Sequence, residues 1–387
     1  MRTITTTSEL KKLCDRLKNA EYITIDTEFI REKSYWAQLC LIQVAGPEDA
    51  VAIDPLAEDI DLKPFYNLLS NPYILKVFHA GRQDIEIFFR ETGKVPHPVF
   101  DTQIAGMVCG LGEQVSYENL IKKLLHIQID KGPRFTDWSQ RPLTDKQLEY
   151  ALDDVRFLRP AYEKLIERMK FHGRLNWLKR EEAALSSPDT YIYNPSEAWQ
   201  RIKIANHKPK TLAVLQEVAA WREAAAQEKD VPRNRLMRDD ALAAMALHPP
   251  KSKAELAKIR NVHKHIVDNE DYVGQILRAV DRGIRMPDKK RPRKAKKPAL
   301  PPGLAPIIEM LKVLLKQKCE EHFVAQKLIA NAADLELLAA FDDADIDCLK
   351  GWRFELFGKD ALALKHGEIG LSIVNQKIEI IRMDDPA

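Results

Sequence analysis

The stretch YITIDTEF, Tyr22 to Phe29, constrains this chain more than any other segment. It alternates as a strand does, so Thr24, Asp26 and Glu28 share one face while Ile23, Ile25 and Thr27 take the other. Two carboxylates aimed at one spot repel and raise each other's pKa unless a positive charge lies between them, and a divalent cation is the usual answer. The alternative is a strand leaving the core for water, where two acids cost little. The remainder of the chain must decide.

Strand-like runs (YITIDTEF, LCLIQVA, AVAID, ILKVFHA) alternate with helical ones such as DIEIFFRET and TDKQLEYALDDVRFLRPAYEKLIERMK up to about residue 170. That alternation predicts an α/β domain. The first three strands are joined too closely for crossover helices, which predicts an antiparallel start and a mixed sheet. A chain of 387 residues exceeds one ordinary core, and two or three domains are expected.

Beyond SSPDTYIYNP the pattern turns Ala-rich, Leu-rich and helical, and a further helical segment begins after PPGLAP. VPRNRLMRDDALAAMA from Val231 resembles FVAQKLIANAADLELLA from Phe323, which reads as an internal repeat. The first copy carries Arg233, Arg235 and Arg238 where the second is mostly neutral, so their binding roles should differ. Between the segments, KKRPRKAKKPALPPG has no acid and is punctuated by proline, and reads as an extended tether. Such a tether either touches phosphates without reading sequence or is a spacer held open by self-repulsion.

The formal charge of +3 leaves any attraction to polyanions to local distribution. Five scattered cysteines without C-x-x-C spacing argue against a disulfide framework and a structural zinc site. No signal-like N-terminal run and no stretch near the roughly 20 apolar residues of a membrane helix are seen, so a soluble cytoplasmic protein is expected.

Further acids lie downstream. In VFHAGRQDIEIFFR the strand turns at Gly81 into an amphipathic helix, placing Asp84 in its first turn, where it either serves chemistry at the sheet edge or favours the helix dipole. In LEYALDDVRFL, Tyr150 and Asp154 lie four apart on one helix face, so a phenol and a carboxylate point into one cleft, or belong to an ordinary amphipathic helix.

Asp-x-Glu on a strand, Asp at a helix start and Tyr-x-x-x-Asp on a later helix, in this order, resemble the DEDD exonucleases of the ribonuclease H-like fold, in the tyrosine-containing branch. DWSQRPLTDKQLEYALDDV, VFHAGRQDIEIF and FDTQIA resemble ribonuclease D in particular, and the two helical segments resemble HRDC domains, the second through GWRFELFGKDALALKHGE. The resemblance implies an exonuclease domain over 1–190, a first all-α HRDC-like domain over 205–285, a basic Pro-rich linker over 286–302 and a second all-α HRDC-like domain over 303–382. It makes Asp26, Glu28, Asp84 and Asp154 the metal-site acids and Tyr150 the residue that orients the attacking water. Two Mg²⁺ or Mn²⁺ ions per site suit an all-oxygen donor set and phosphodiester hydrolysis. The implied activity is 3′ to 5′ removal of nucleoside 5′-monophosphates from RNA, with tRNA precursors as substrates, by a protein expected to be a monomer.

Asp101 reads as a helix N-cap, Asp54 as turn chemistry, and Asp153 lies off the Tyr150 face. His79 and Gln83 near the cleft, and Lys131, Trp138 and Arg141 near the Tyr150 helix, are candidates for stacking on a terminal base or pairing with its phosphate. Core packing is an equal reading for Trp138. Ala37 in YWAQLCLIQ departs from the proline common in the family. A DNA exonuclease and a noncatalytic nucleic-acid binder are the competing readings; retention of all five site residues weighs against the second.

Overall fold

The computed structural model describes residues 3–129, 132, 136–294 and 298–383. Strands β1 (Thr3–Ile4), β2 (Tyr22–Ile30), β3 (Gln38–Ala45), β4 (Ala50–Ile53), β5 (Leu75–Phe78) and β6 (Val99–Asp101) form one sheet in the order β1-β4-β3-β2-β5-β6. β3 runs antiparallel to β4, whereas β5 is parallel to β2 and β6 to β5. The mixed sheet expected from the short connections is thus present. β1 and β6 escaped the sequence reading because two- and three-residue strands are too short to show a period.

The central strands are covered on both faces. Ile23, Thr24 and Ile25 of β2 are fully buried, and the Thr24 hydroxyl meets its need for a partner by donating to the Val155 carbonyl at 2.8 Å. Asp26 is the first residue of β2 that is not buried and lies two positions past Thr24, the last residue paired with β5, while the strand itself continues to Ile30. Helices Arg82–Thr92, Tyr117–Leu125, Asp145–Arg156 and Leu158–Phe171 pack around this sheet. The run read as one long helix breaks at Phe157. Pro160 explains the break: it lacks an N–H, and its ring collides with the carbonyl four residues earlier.

The chain divides into two compact units. One contains the residues up to Glu28, Cys40–Thr190 and those from Pro298 onward; the other contains Phe29–Leu39 and Tyr191–Lys297. In the second unit the helices Pro209–Glu228, Arg233–Leu236, Asp239–Leu247 and Glu270–Arg285 enclose Leu215, Val218, Leu242, Met245 and Ile276. Gly283 lets two of these helices touch, since a Cβ there would lie 2.5 Å from Val214 Cα.

The last segment has helices Ala305–His322, Gln326–Ile329, Ala332–Ala340 and Lys359–His366. Its Leu311, Leu314, Leu338 and Phe357 join one continuous core with Val77, Leu120, Ile121 and Leu165 of the sheet region. The expectation that this segment is all-α needs correction, because it ends in a hairpin of β7 (Ile369–Val374) and β8 (Lys377–Arg382). Asn375 and Gln376 form its turn with φ of 50° and 63°, the left-handed pair that a two-residue hairpin loop requires. Asn supplies that conformation weakly and Gln hardly at all, so the turn lacked the usual Asn-Gly signal. Part of the predicted basic tether, residues 295–297, lies outside the described residues.

Candidate active site

Asp26 and Glu28, beyond the part of β2 that pairs with β5, meet Asp154 from the helix Asp145–Arg156, with one carboxylate oxygen of each within 4.8 Å of the others. The helix is set in register by a capping box in which Thr144 and Gln147 satisfy each other's backbone N–H groups. Burial, and then the nearby Asp84, Asp154 and Glu28 charges, push the Asp26 carboxyl well above the usual carboxylate range. Three hard oxygen donors that repel one another at this spacing fit a divalent cation such as Mg²⁺ or Mn²⁺, and no His or Cys belongs to the group.

Asp84 is not one of this trio, although its charge acts on Asp26. It is 6 % exposed, accepts a short hydrogen bond from the Thr27 hydroxyl, and has a pKa raised to about 6, chiefly by burial. Its placement follows from the turn between β5 and its helix. Ala80 adopts a φ of 56°, and Gly81 follows where any Cβ would fall 2.4 Å from that of Phe78. The Asp101 carboxylate fastens the turn by accepting from the N–H groups of Ala80 at 3.1 Å and Gly81 at 2.9 Å, and it caps the next helix through Gln103 N–H at 2.8 Å. Asp101 is therefore the N-cap that the sequence indicated.

Tyr150 lies one helical turn before Asp154, and both border a cleft of about 360 Å³ with Asp26, His79, Gln103 and Tyr117. His79 is held at both ring nitrogens, by the Thr102 hydroxyl at 2.9 Å and the Val115 carbonyl at 3.1 Å, and burial lowers its pKa. Trp138 is 3 % exposed, with its ring 6.3 Å from that of Tyr150, so packing beside the tyrosine is its observed role. Gln83 is exposed and is not among the cleft-lining residues. Lys131 lies outside the described residues.

Arg141 requires correction as a phosphate contact. Its guanidinium makes five hydrogen bonds: two to the Asp54 carboxylate at 2.6 and 2.7 Å, and one each to the carbonyls of Cys40, Trp138 and Gln140. A guanidinium has five N–H donors, so none remains for a phosphate. Asp54 is the partner that holds it. The sequence reading also missed Tyr117, whose hydroxyl donates to the Asp153 carbonyl at 2.8 Å beside the acids. The capping serine before it, Ser116, was the only local signal, and it marks a helix start and no chemistry.

Comparison with known proteins identifies the family of the chain. Residues 1–170 match a 3′-5′ exonuclease family model and residues 211–280 match the HRDC domain. Ribonuclease D of Nitrobacter hamburgensis is 47 % identical, with 98 % of this chain and 99 % of that protein covered. Ribonuclease D of Jannaschia sp. is 46 % identical over the same shares of both chains. The crystal structure of Escherichia coli RNase D, described as an exoribonuclease involved in structured RNA processing, superposes with a TM-score of 0.79 at 29 % identity, covering 95 % of this chain and 98 % of that one. The chain therefore belongs to the ribonuclease D family of metal-dependent 3′ to 5′ exoribonucleases.

Proposed function

We propose that this protein trims RNA 3′ ends, tRNA precursors foremost, releasing one nucleoside 5′-monophosphate at a time. The observation that carries this reading is the meeting of Asp26, Glu28 and Asp154 oxygens within 4.8 Å, two of these acids also lining the cleft that Tyr150 borders. Asp26, Glu28 and Asp154 would hold the cations directly, and Asp84 would act through water. Two Mg²⁺ or Mn²⁺ ions, when bound, would neutralise the acids and compensate charge growing on the scissile phosphate. Tyr150 orients a water for in-line attack on the last phosphorus. The new P–O bond forms as the bond to the preceding ribose O3′ breaks, leaving a 3′-hydroxyl on the shortened strand.

The closing segment is read as a second HRDC-like module. It is supported by a helix plan matching the first, although the HRDC model matches only residues 211–280. Both modules would retain structured RNA while the end is trimmed. Among the described residues no helix is long and apolar enough to cross a membrane, and a monomer working in the cytoplasm is the proposed setting.

Replacing Asp26 by Ala tests the site. Hydrolysis of a short RNA should fall by at least about 10³-fold in Mg²⁺, as expected when a ligand central to metal-assisted hydrolysis is lost, while tRNA retention in a gel-shift assay persists. Undiminished mononucleotide release from the variant would refute the assignment.

A further inference from the structure

Residues 29–39 and the first helical segment enclose a second cavity, of about 590 Å³, that the trimming reaction does not use. Its wall carries four guanidiniums, Arg31, Arg201, Arg222 and Arg233, against two carboxylates, Glu223 and Asp239. Both acids are already engaged. Arg233 grips Glu223 through two bonds of 2.6 and 2.7 Å, and Arg222 donates to Asp239 at 2.7 Å. By formal charge the lining is net positive, and Arg31 and Arg222 also donate to the backbone carbonyls of Tyr35 and Met237. Arg201 is exposed and has no carboxylate within ion-pair distance among the described residues; its guanidinium lies over the Tyr193 ring at 5.6 Å.

Size, charge and surface point to one ligand chemistry. The volume lies in the range of small-ligand sites. Guanidiniums match the paired oxygens of a phosphate, and an aromatic ring offers a face for a base. We propose that this cavity is a noncatalytic nucleotide pocket in which a phosphate is held by Arg201 and the neighbouring guanidiniums and a base lies against Tyr193. The nucleotide is either one residue of a single strand or a free nucleoside 5′-monophosphate. The strand as a source rests on the proposed function.

The test uses the full chain in chelator, where no hydrolysis occurs, and follows fluorescence anisotropy of a labelled single-stranded RNA across a salt series. Arg201→Ala is compared with Arg278→Ala, which removes an exposed arginine of the same unit outside the cavity. Arg201→Ala should weaken binding roughly tenfold and flatten the slope of log K against log salt by about 0.7. Arg201→Lys should recover part of the loss. A parallel calorimetric titration with adenosine 5′-monophosphate identifies the source: weakening by Arg201→Ala in both arms assigns free nucleotide as well as strand, and weakening in the RNA arm alone assigns the strand. Equal effects of the two alanine variants, or unchanged affinity and slope in Arg201→Ala, would overturn the pocket. Wild-type hydrolysis of the same RNA in Mg²⁺ is the control for the active site, because its absence would strike the proposed function and leave the pocket to be judged on nucleotide binding.

Discussion

Pro209–Glu228, Arg233–Leu236 and Asp239–Leu247 of the first helical segment have counterparts in Ala305–His322, Gln326–Ile329 and Ala332–Ala340 of the last. Met237 and Arg238 separate the shorter helices in one, as Ala330 and Asn331 do in the other. Buried positions correspond too: Leu236, Leu242, Met245 and Ala246 against Ile329, Leu335, Leu338 and Ala339. The differences lie where chemistry would be. Asn331 caps its helix, whereas Arg238 in the same place makes no side-chain cap bond. Arg222, buried in the first segment, occupies the register position that buried Leu315 fills in the last. One segment thus encloses an ionic cluster within its own core, and the other spends the same helix plan on an apolar surface continuous with the core beneath the sheet.

That contrast can be broken, and the largest lever is Phe357, which is fully buried in the shared core. Phe357→Ala should cost about 3–5 kcal/mol and lower the temperature at which hydrolysis of short RNA is lost. If that temperature stays put, the last segment does not support the catalytic core. Ile276→Ala, equally buried in the first helical unit, should cost about 2–5 kcal/mol. Here amide exchange should quicken in residues 205–285 while the sheet amides stay protected, and loss of protection in both units would merge the two cores into one.

Two glutamates, the half-buried Glu182 and the buried Glu223, sharpen the comparison through pH. Glu182, in the helix Lys179–Ser186, has its pKa raised from 4.5 to about 7, by burial first, with the Asp101 charge adding to it against the Asp101 N–H. The folded state then holds a proton that the unfolded chain has lost, so stability falls as pH climbs from about 4.5 to about 7. Glu182→Gln should flatten that fall and add up to about 3 kcal/mol at pH 8 in urea unfolding. An unchanged pH profile would place the proton elsewhere. Glu223 behaves in the opposite sense. Burial raises its pKa, but the Arg233 fork and the Tyr35 hydroxyl outweigh burial and hold it below the usual range. Its stabilisation is present above the ordinary glutamate pKa and is lost as pH falls through the lower folded value. Arg233→Lys, which exchanges a fork for a point charge, should cost about 1 kcal/mol near neutral pH and flatten the acid limb of unfolding, because the folded pKa of Glu223 moves back toward its unfolded value. No change in that limb would mean the cluster contributes no pH dependence.

Much of the site was legible because its residues obey local periods. Alternation put Asp26 and Glu28 on one face, and helix spacing put Tyr150 and Asp154 on another. Arg141 was misread for the opposite reason: its partner Asp54 is remote in the chain, and no local pattern relates them. Tyr117 was missed likewise, since only packing brings its hydroxyl to the Asp153 carbonyl. The C-terminal hairpin was lost to a turn whose Asn-Gln pair is an uncommon carrier of two left-handed residues.

The sequence by itself determined the α/β start, the mixed sheet, the helical character of most of the remaining chain and the order of four acids and a tyrosine, because these arise from side-chain direction over a few residues. Only the tertiary structure decided that Asp84 bonds to Thr27 and stays outside the trio of Asp26, Glu28 and Asp154, that Arg141 is fully engaged, and that two segments of one helix plan are buried in different cores. Those outcomes depend on which distant surfaces meet, and burial and charge pairing across long loops leave no periodic trace in the chain.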